Sequence, residues 1–227
     1  QEIREDLCRR ESDNQAYTRE LGIALENIGR VLENKGDQDG ALVLFKNSQE
    51  ISEDLCLREP DNLAYKRELG IALTNLGRAR EKSGDQERAL AFYMKSQEIS
   101  EDLCRREPDN LAYKRELGVA LTNVGRVLQK KGDQDRALVF FKASQEIRDD
   151  LCRHESGNLI WRREKAYSCI YCGALLCRTG VRAEGLAQLH QACDLLSGLL
   201  DSGAGFDSLA GDLRNLKKML ARFAEPD

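Results

Sequence analysis

The sequence predicts an all-α fold of repeated antiparallel helix hairpins, and three observations carry that expectation. Three prolines, 6% aromatic and 33% charged residues among 227 fit long solvated helices better than a β-sandwich, which needs aromatic and β-branched residues and frequent turn breakers. The chain also repeats itself. Gln-Glu-Ile recurs at Gln1, Gln49, Gln97 and Gln145, and Asp-Leu-Cys ends at Cys8, Cys56, Cys104 and Cys152, a period of 48 residues. Stretches 61–108 and 109–156 agree at 33 of 48 positions. Within each period, finally, apolar and small residues fall at helical spacing.

One period shows how each hairpin is specified. Asp61 and Asn62 offer side-chain oxygens to cap a helix start, and Tyr65, Leu69, Ala72, Leu73, Leu76 and Gly77 then mark its inner face. Gly84-Asp85 breaks the pattern: Gly can take the left-handed conformation that closes one helix, and Asp can cap the next. The second helix carries Ala89, Leu90, Tyr93, Ser96, Ile99, Leu103 and Cys104 inward and runs out at Glu107-Pro108-Asp109, where Pro bars continuation.

Applied along the chain, this register predicts helix pairs at 14–34 with 38–58, 62–82 with 86–106, 110–130 with 134–154, and 158–178 with 182–200. The predicted organisation is a single domain, 1–227: a partial repeat at 1–12, repeats at 13–60, 61–108, 109–156 and 157–203, and a capping helix at 206–224. Leu209, Leu213, Leu216, Met219, Leu220 and Phe223 give that last helix an apolar face suited to covering the end of a solenoid. Residues 1–11 match only the end of a second helix, so the expectation is a chain that starts inside a repeat of a longer protein.

The set Leu73, Leu76-Gly77, Gly84-Asp85, Ala89-Leu90, Tyr93 and Ser96 resembles the tetratricopeptide repeat, with equivalents at Gly29, Ala41 and Phe45 and at Gly125, Ala137 and Phe141. The common repeat has about 34 residues. The longer period here is similar to the repeats of kinesin light chains and closer to a class common in bacterial multidomain proteins. Glu107-Pro108-Asp109-Asn110, Tyr113 to Leu117 and Gly132-Asp133 carry that closer match. The resemblance implies a right-handed superhelical solenoid whose first helices line a concave surface that binds peptides or partner proteins.

Two positions of the first helices are not needed for packing yet barely change between copies. Asn27, Asn75 and Asn123 occupy one, and Arg30, Arg78 and Arg126 the other, three residues later and so on the same face. An Asn amide can pair with successive peptide units of an extended chain, and Arg adds a fork for carboxylates. In the resembling families, Asn at this place grips ligand backbone. The competing reading is duplicated solvated residues, with each Arg paired to an acid such as Glu26, Glu33 or Glu81. In the fourth hairpin Tyr171 and Ala174 replace Asn and Arg. With Tyr167, Ile170 and Cys177 they form either an apolar anchor pocket or a face shielded by residues 206–224.

The remaining chemistry reads as structure. Cys169 and Cys172 form a CxxC, but they stand in the register of Leu25, Leu73 and Leu121 and of Ile28, Leu76 and Val124, so they are expected to be buried hydrophobes rather than metal ligands. His154 and His190 sit in separate hairpins, and Glu53-Asp54, Glu101-Asp102 and Asp149-Asp150 recur with the period as a solvated face. No nucleophile motif, phosphate loop or HExxH pair occurs, so no enzyme activity and no cofactor is expected.

A formal charge of −4 and a pI near 5.5 argue against nucleic acid as a partner. With no run of eighteen apolar residues, no membrane partner is expected. The thiols and the start of the chain suggest a cytoplasmic setting. The functional expectation is a scaffold that binds a peptide or protein segment along the Asn and Arg ladders. The alternatives are a homo-oligomeric assembly module and, against the charge, a helical-repeat RNA binder.

Overall fold

A computed structural model describes residues 15–206 and 208–224. The partial repeat expected at 1–12, with Cys8, lies outside the described residues, as do Asp13 and Asn14 at the start of the next repeat. Among the described residues there are nine helices and no strand. They are α1 (Gln15–Asn34), α2 (Gln38–Arg58), α3 (Leu63–Lys82), α4 (Gln86–Arg106), α5 (Leu111–Lys130), α6 (Gln134–His154), α7 (Leu159–Arg178), α8 (Arg182–Asp201) and α9 (Leu209–Ala224).

The helix ends follow from local chemistry. Asn62 caps α3 by accepting from the backbone N–H groups of Ala64 at 3.1 Å and Tyr65 at 3.3 Å, and Asn158 caps α7 in the same way. Asp37, Asp85 and Asp133 cap α2, α4 and α6. Each tight turn between the two helices of a hairpin carries a glycine at positive φ, from 85° at Gly84 to 90° at Gly180. The fourth hairpin departs from this pattern. Val181 stands where the others have Asp, and α8 has no side-chain cap.

The chain divides into two compact units, one ending at Tyr113 and the other starting at Lys114. In the first, α1 packs on α2 and α3 on α4, and α2 also packs on α3. Phe45, Ala41, Leu76 and Ala79 form the core between these hairpins. In the second, Ser144 on α6 donates to the Gly118 carbonyl on α5 at 2.8 Å, α7 packs on α6 and α8, and α9 packs on α8. Ala166, Cys169, Leu189, Leu196, Leu209 and Leu216 are among the buried residues of the core shared by α7, α8 and α9.

One close approach sets the geometry of each hairpin. A Cβ on Gly77 would lie 2.6 Å from the Tyr93 ring, and on Gly29 or Gly125 it would lie 2.7 Å from Phe45 or Phe141. The missing side chain on the first helix is the space that the ring of the second helix fills. In the last hairpin the ring position holds Leu189 and the small position Gly185, so the helices meet backbone to backbone. A Cβ on Gly173 would lie 2.7 Å from the Gly185 carbonyl.

Candidate protein-binding groove

In the first unit the recurring Asn and Arg pairs bond within their own helices. Arg30 donates to Asn27 Oδ1 at 2.7 Å, and Arg78 donates to Asn75 Oδ1 at 3.0 Å. The three-residue spacing places both side chains on one helix face, and an Arg that only donates fixes which amide atom it meets. Each Asn therefore spends its carbonyl on its own helix and keeps its NH2 for another acceptor. Asn27 and Arg30 are exposed, whereas Asn75 is 5% exposed.

Arg78 has a second partner, the buried carboxylate of Glu33 on α1, at 3.0 Å, and Lys82 reaches the same carboxylate at 3.0 Å. Burial opposes ionisation of Glu33, but the hydrogen bonds and charges of Arg78 and Lys82 outweigh it and hold the carboxyl below its ordinary range. The Arg78 guanidinium also lies 5.9 Å from the Phe45 ring centroid. An open depression of about 490 Å³ results, lined by Asn27, Arg30, Val31, Glu33, Asn34, Arg78 and Lys82. Arg78 and Lys82 pair there with Glu33, while Arg30 bonds Asn27 and its charge acts on the carboxyl of Glu26.

In the second unit Arg126 donates to Asn123 Oδ1 at 3.3 Å, repeating the local arrangement. Among the residues predicted from sequence, Asn27, Arg30 and Arg78 thus share one depression, Asn75 backs it, and Asn123 and Arg126 form their own pair. The acid-pairing alternative holds for Arg78 with Glu33. Lys82 was not singled out, although the period carried a signal in the lysine that recurs at Lys82 and Lys130.

Glu26 is a different case, because it stands where Thr74 and Thr122 stand in the later copies. Its Oε1 is buried without a hydrogen-bond partner, and burial pushes its carboxyl from 4.5 up to about 7, with a hydrogen bond to Ser48 pulling the other way. The folded form thus holds this proton more tightly than the unfolded chain. Stability from Glu26 is full below the unfolded value and is lost as pH rises through the folded one. Glu26→Thr is expected to raise stability at pH 8 by about 2 kcal/mol and to flatten the decline between pH 4.5 and about 7, as urea denaturation at several pH values will show.

The fourth hairpin presents a covered face. Tyr171, in the Asn position, stacks on Phe141 with centroids 5.4 Å apart, and Ala174, in the Arg position, is buried. Tyr167 donates to Asp212 of α9, and the Arg163 guanidinium sits 5.4 Å from the Tyr167 ring and 4.7 Å from the Phe206 ring. The C-terminal helix shields this face at Tyr167, Ile170 and Cys177, whereas Tyr171 is covered by Phe141 of α6. Cys169 and Cys172 are fully buried, and burial pushes their thiols up to about 12 and about 11, far from thiolate chemistry at neutral pH. Among the described residues no cluster of His, Cys, Asp and Glu is arranged to hold a metal ion, and no helix is long and apolar enough to cross a membrane.

Residues 71–103, which span most of α3 and α4, match the tetratricopeptide repeat family. No curated protein matches the chain. Among solved structures, the crystal structure of BtubC (BKLC) from P. vanneervenii is similar, with a TM-score of 0.62 at 15% identity, over 97% of this chain and 85% of that one. At that identity the likeness is one of fold.

Proposed function

We propose that this chain, a tetratricopeptide-type repeat protein, is a binding scaffold that holds a peptide segment of a partner protein against the Asn and Arg pairs of its first helices. Repeats of this type generally mediate protein–protein interaction and are typically non-enzymatic. The depression beside Asn27 and Arg30 is the observation that carries the finer reading. It is open, and its amide and guanidinium groups match the two chemistries of a peptide, carbonyl and carboxylate. Asn27, Asn75 and Asn123 would donate to backbone carbonyls, while Arg30, Arg78 and Arg126 supply positive charge. The setting proposed is the cytoplasm, where the thiols stay reduced.

The choice of variant matters. Arg78→Ala would strip the buried Glu33 of a partner and confuse folding with binding. Asn27→Ala with Arg30→Ala touches only exposed side chains. This double variant is expected to keep its circular dichroism spectrum and to lose about tenfold or more in affinity for a natural partner, measured by calorimetry. Unchanged affinity in a folded variant would remove the groove from the account.

A further inference from the structure

A second depression, of about 390 Å³, lies on the second unit between the end of α7 and the second half of α9. Arg178, Lys218 and Arg222 form its exposed rim, and half-buried Met219 and Phe223 form its floor over the core of α7, α8 and α9. Arg182 on α8 donates to the Phe223 carbonyl, which ties the end of α9 down and holds that floor in place.

The cations of this rim stand close together with no acid among them. Several cations elsewhere do pair with carboxylates, as in Lys66 with Asp102, Lys142 with Glu184 and Lys165 with Asp149. Arg178, Lys218 and Arg222 have no acidic partner among the described residues, and neither does Arg214. Arg214, Lys218 and Arg222 also follow one another at four-residue spacing on α9, where like charges repel. The negative end of a helix dipole accounts for Arg178 and Arg222 in the last turns of α7 and α9, but it does not extend back to Lys218 and Arg214. In a chain of net charge −4, such a concentration of cations around an apolar floor is a surface with its own complement.

We propose that this depression docks an acidic peptide segment of a partner protein. An apolar side chain of that segment sits on Met219 and Phe223 while its carboxylates meet Arg178, Lys218 and Arg222. The guanidinium forks suit carboxylates, and a pocket of this size accepts one or two side chains. Single-stranded nucleic acid fits less well, because Phe223 is the one aromatic residue lining the depression, whereas successive bases need a series of rings to stack on. A bilayer fits less well too, since Leu209, Leu216 and Leu220 of α9 turn into the core.

The test is fluorescence anisotropy on the full chain, with a labelled peptide of glutamates flanking a pair of leucines. Saturable binding that weakens with added salt is expected, with a loss of about tenfold or more in Lys218→Glu with Arg222→Glu. The exchange variant Lys218→Arg with Arg222→Lys keeps the affinity. Serines in place of the leucines weaken binding severalfold, and circular dichroism of both variants matches the parent because the altered side chains are exposed. Asn27→Ala with Arg30→Ala leaves this binding unchanged, which separates it from the groove on the first unit. Indifference to the charge reversal, equal binding of the lysine counterpart of the peptide, or a fall in Asn27→Ala with Arg30→Ala overturns the proposal. Tighter retention of single-stranded RNA or of phosphatidylserine vesicles by the same residues also overturns it.

Discussion

Glu164→Ala is expected to destabilise the second unit by about 3–5 kcal/mol, a large effect for a residue near the surface. The cause is Arg148, which is 5% exposed and occupies the register position that Ser52 and Ser100 hold in the earlier copies. Its guanidinium donates to Glu164 at 3.2 Å, to the Gly118 carbonyl at 3.3 Å and to Thr122 at 3.2 Å, while its Nε has no partner. Burial pushes the guanidinium below its ordinary range and the Glu164 charge pulls it back. Arg115 bonds the same carboxylate at 2.9 Å, so Glu164 joins two helices besides its own. Without that carboxylate, Arg148 is a buried cation with neutral acceptors only. Adding Arg148→Ser should recover most of the loss, because serine is the residue that position holds in the two earlier copies and no buried charge then remains. Trp161, the one tryptophan, lies on α7 one turn from Glu164, so its fluorescence in a urea titration reads out this unit. Equal unfolding midpoints for Glu164→Ala and the parent would show that Arg148 is not held by this pair.

Phe45→Ala comes next, with an expected cost of about 3–5 kcal/mol to the first unit. Phe45 is fully buried, lies over Gly29 and packs with Leu76 and Ala79 of the neighbouring hairpin. Its removal opens a cavity at the join of two hairpins and takes the ring from beneath Arg78. The sharper expectation concerns its partner. Gly29→Ala alone places a methyl 2.7 Å from the Phe45 ring and is destabilising, yet in the Phe45→Ala background that methyl enters vacated space. Thermal unfolding followed by circular dichroism should therefore show the double variant losing less than the two single losses added together. Strict additivity would mean that ring and glycine do not share one space.

The helices were legible because each boundary is a local event. Gly84-Asp85 ends one helix and starts the next with chemistry that needs no tertiary information, and Asn62 caps α3 one residue before it begins. The pairing of Gly77 with Tyr93 was legible because the same small residue and ring recur at the same separation. The final helix starts at Leu209 instead of 206 because Gly203 and Gly205 favour a turn after α8, a detail of one linker with no second copy to compare.

What the period could not give was partnership across hairpins. Arg78 meets Glu33 from a different copy 45 residues away, and Arg148 enters the core because Glu164 stands opposite it. Glu26 and Arg148 each stand where two of the other copies hold a small hydroxyl residue, Thr74 and Thr122 for one and Ser52 and Ser100 for the other. Their consequences depend on what faces them in space, which a self-comparison of one chain does not contain.

The bond from Arg to Asn inside α1, α3 and α5 bears on the energetics of recognition. Long side chains normally lose rotamer freedom when a ligand immobilises them, and that loss opposes association. Here Asn75 is already held by Arg78, and Arg78 by Glu33, before anything arrives. On the proposed reading, a peptide reaching the first unit would meet donors whose directions are set. Less of the contact energy with the proposed ligand would then be lost to ordering these side chains.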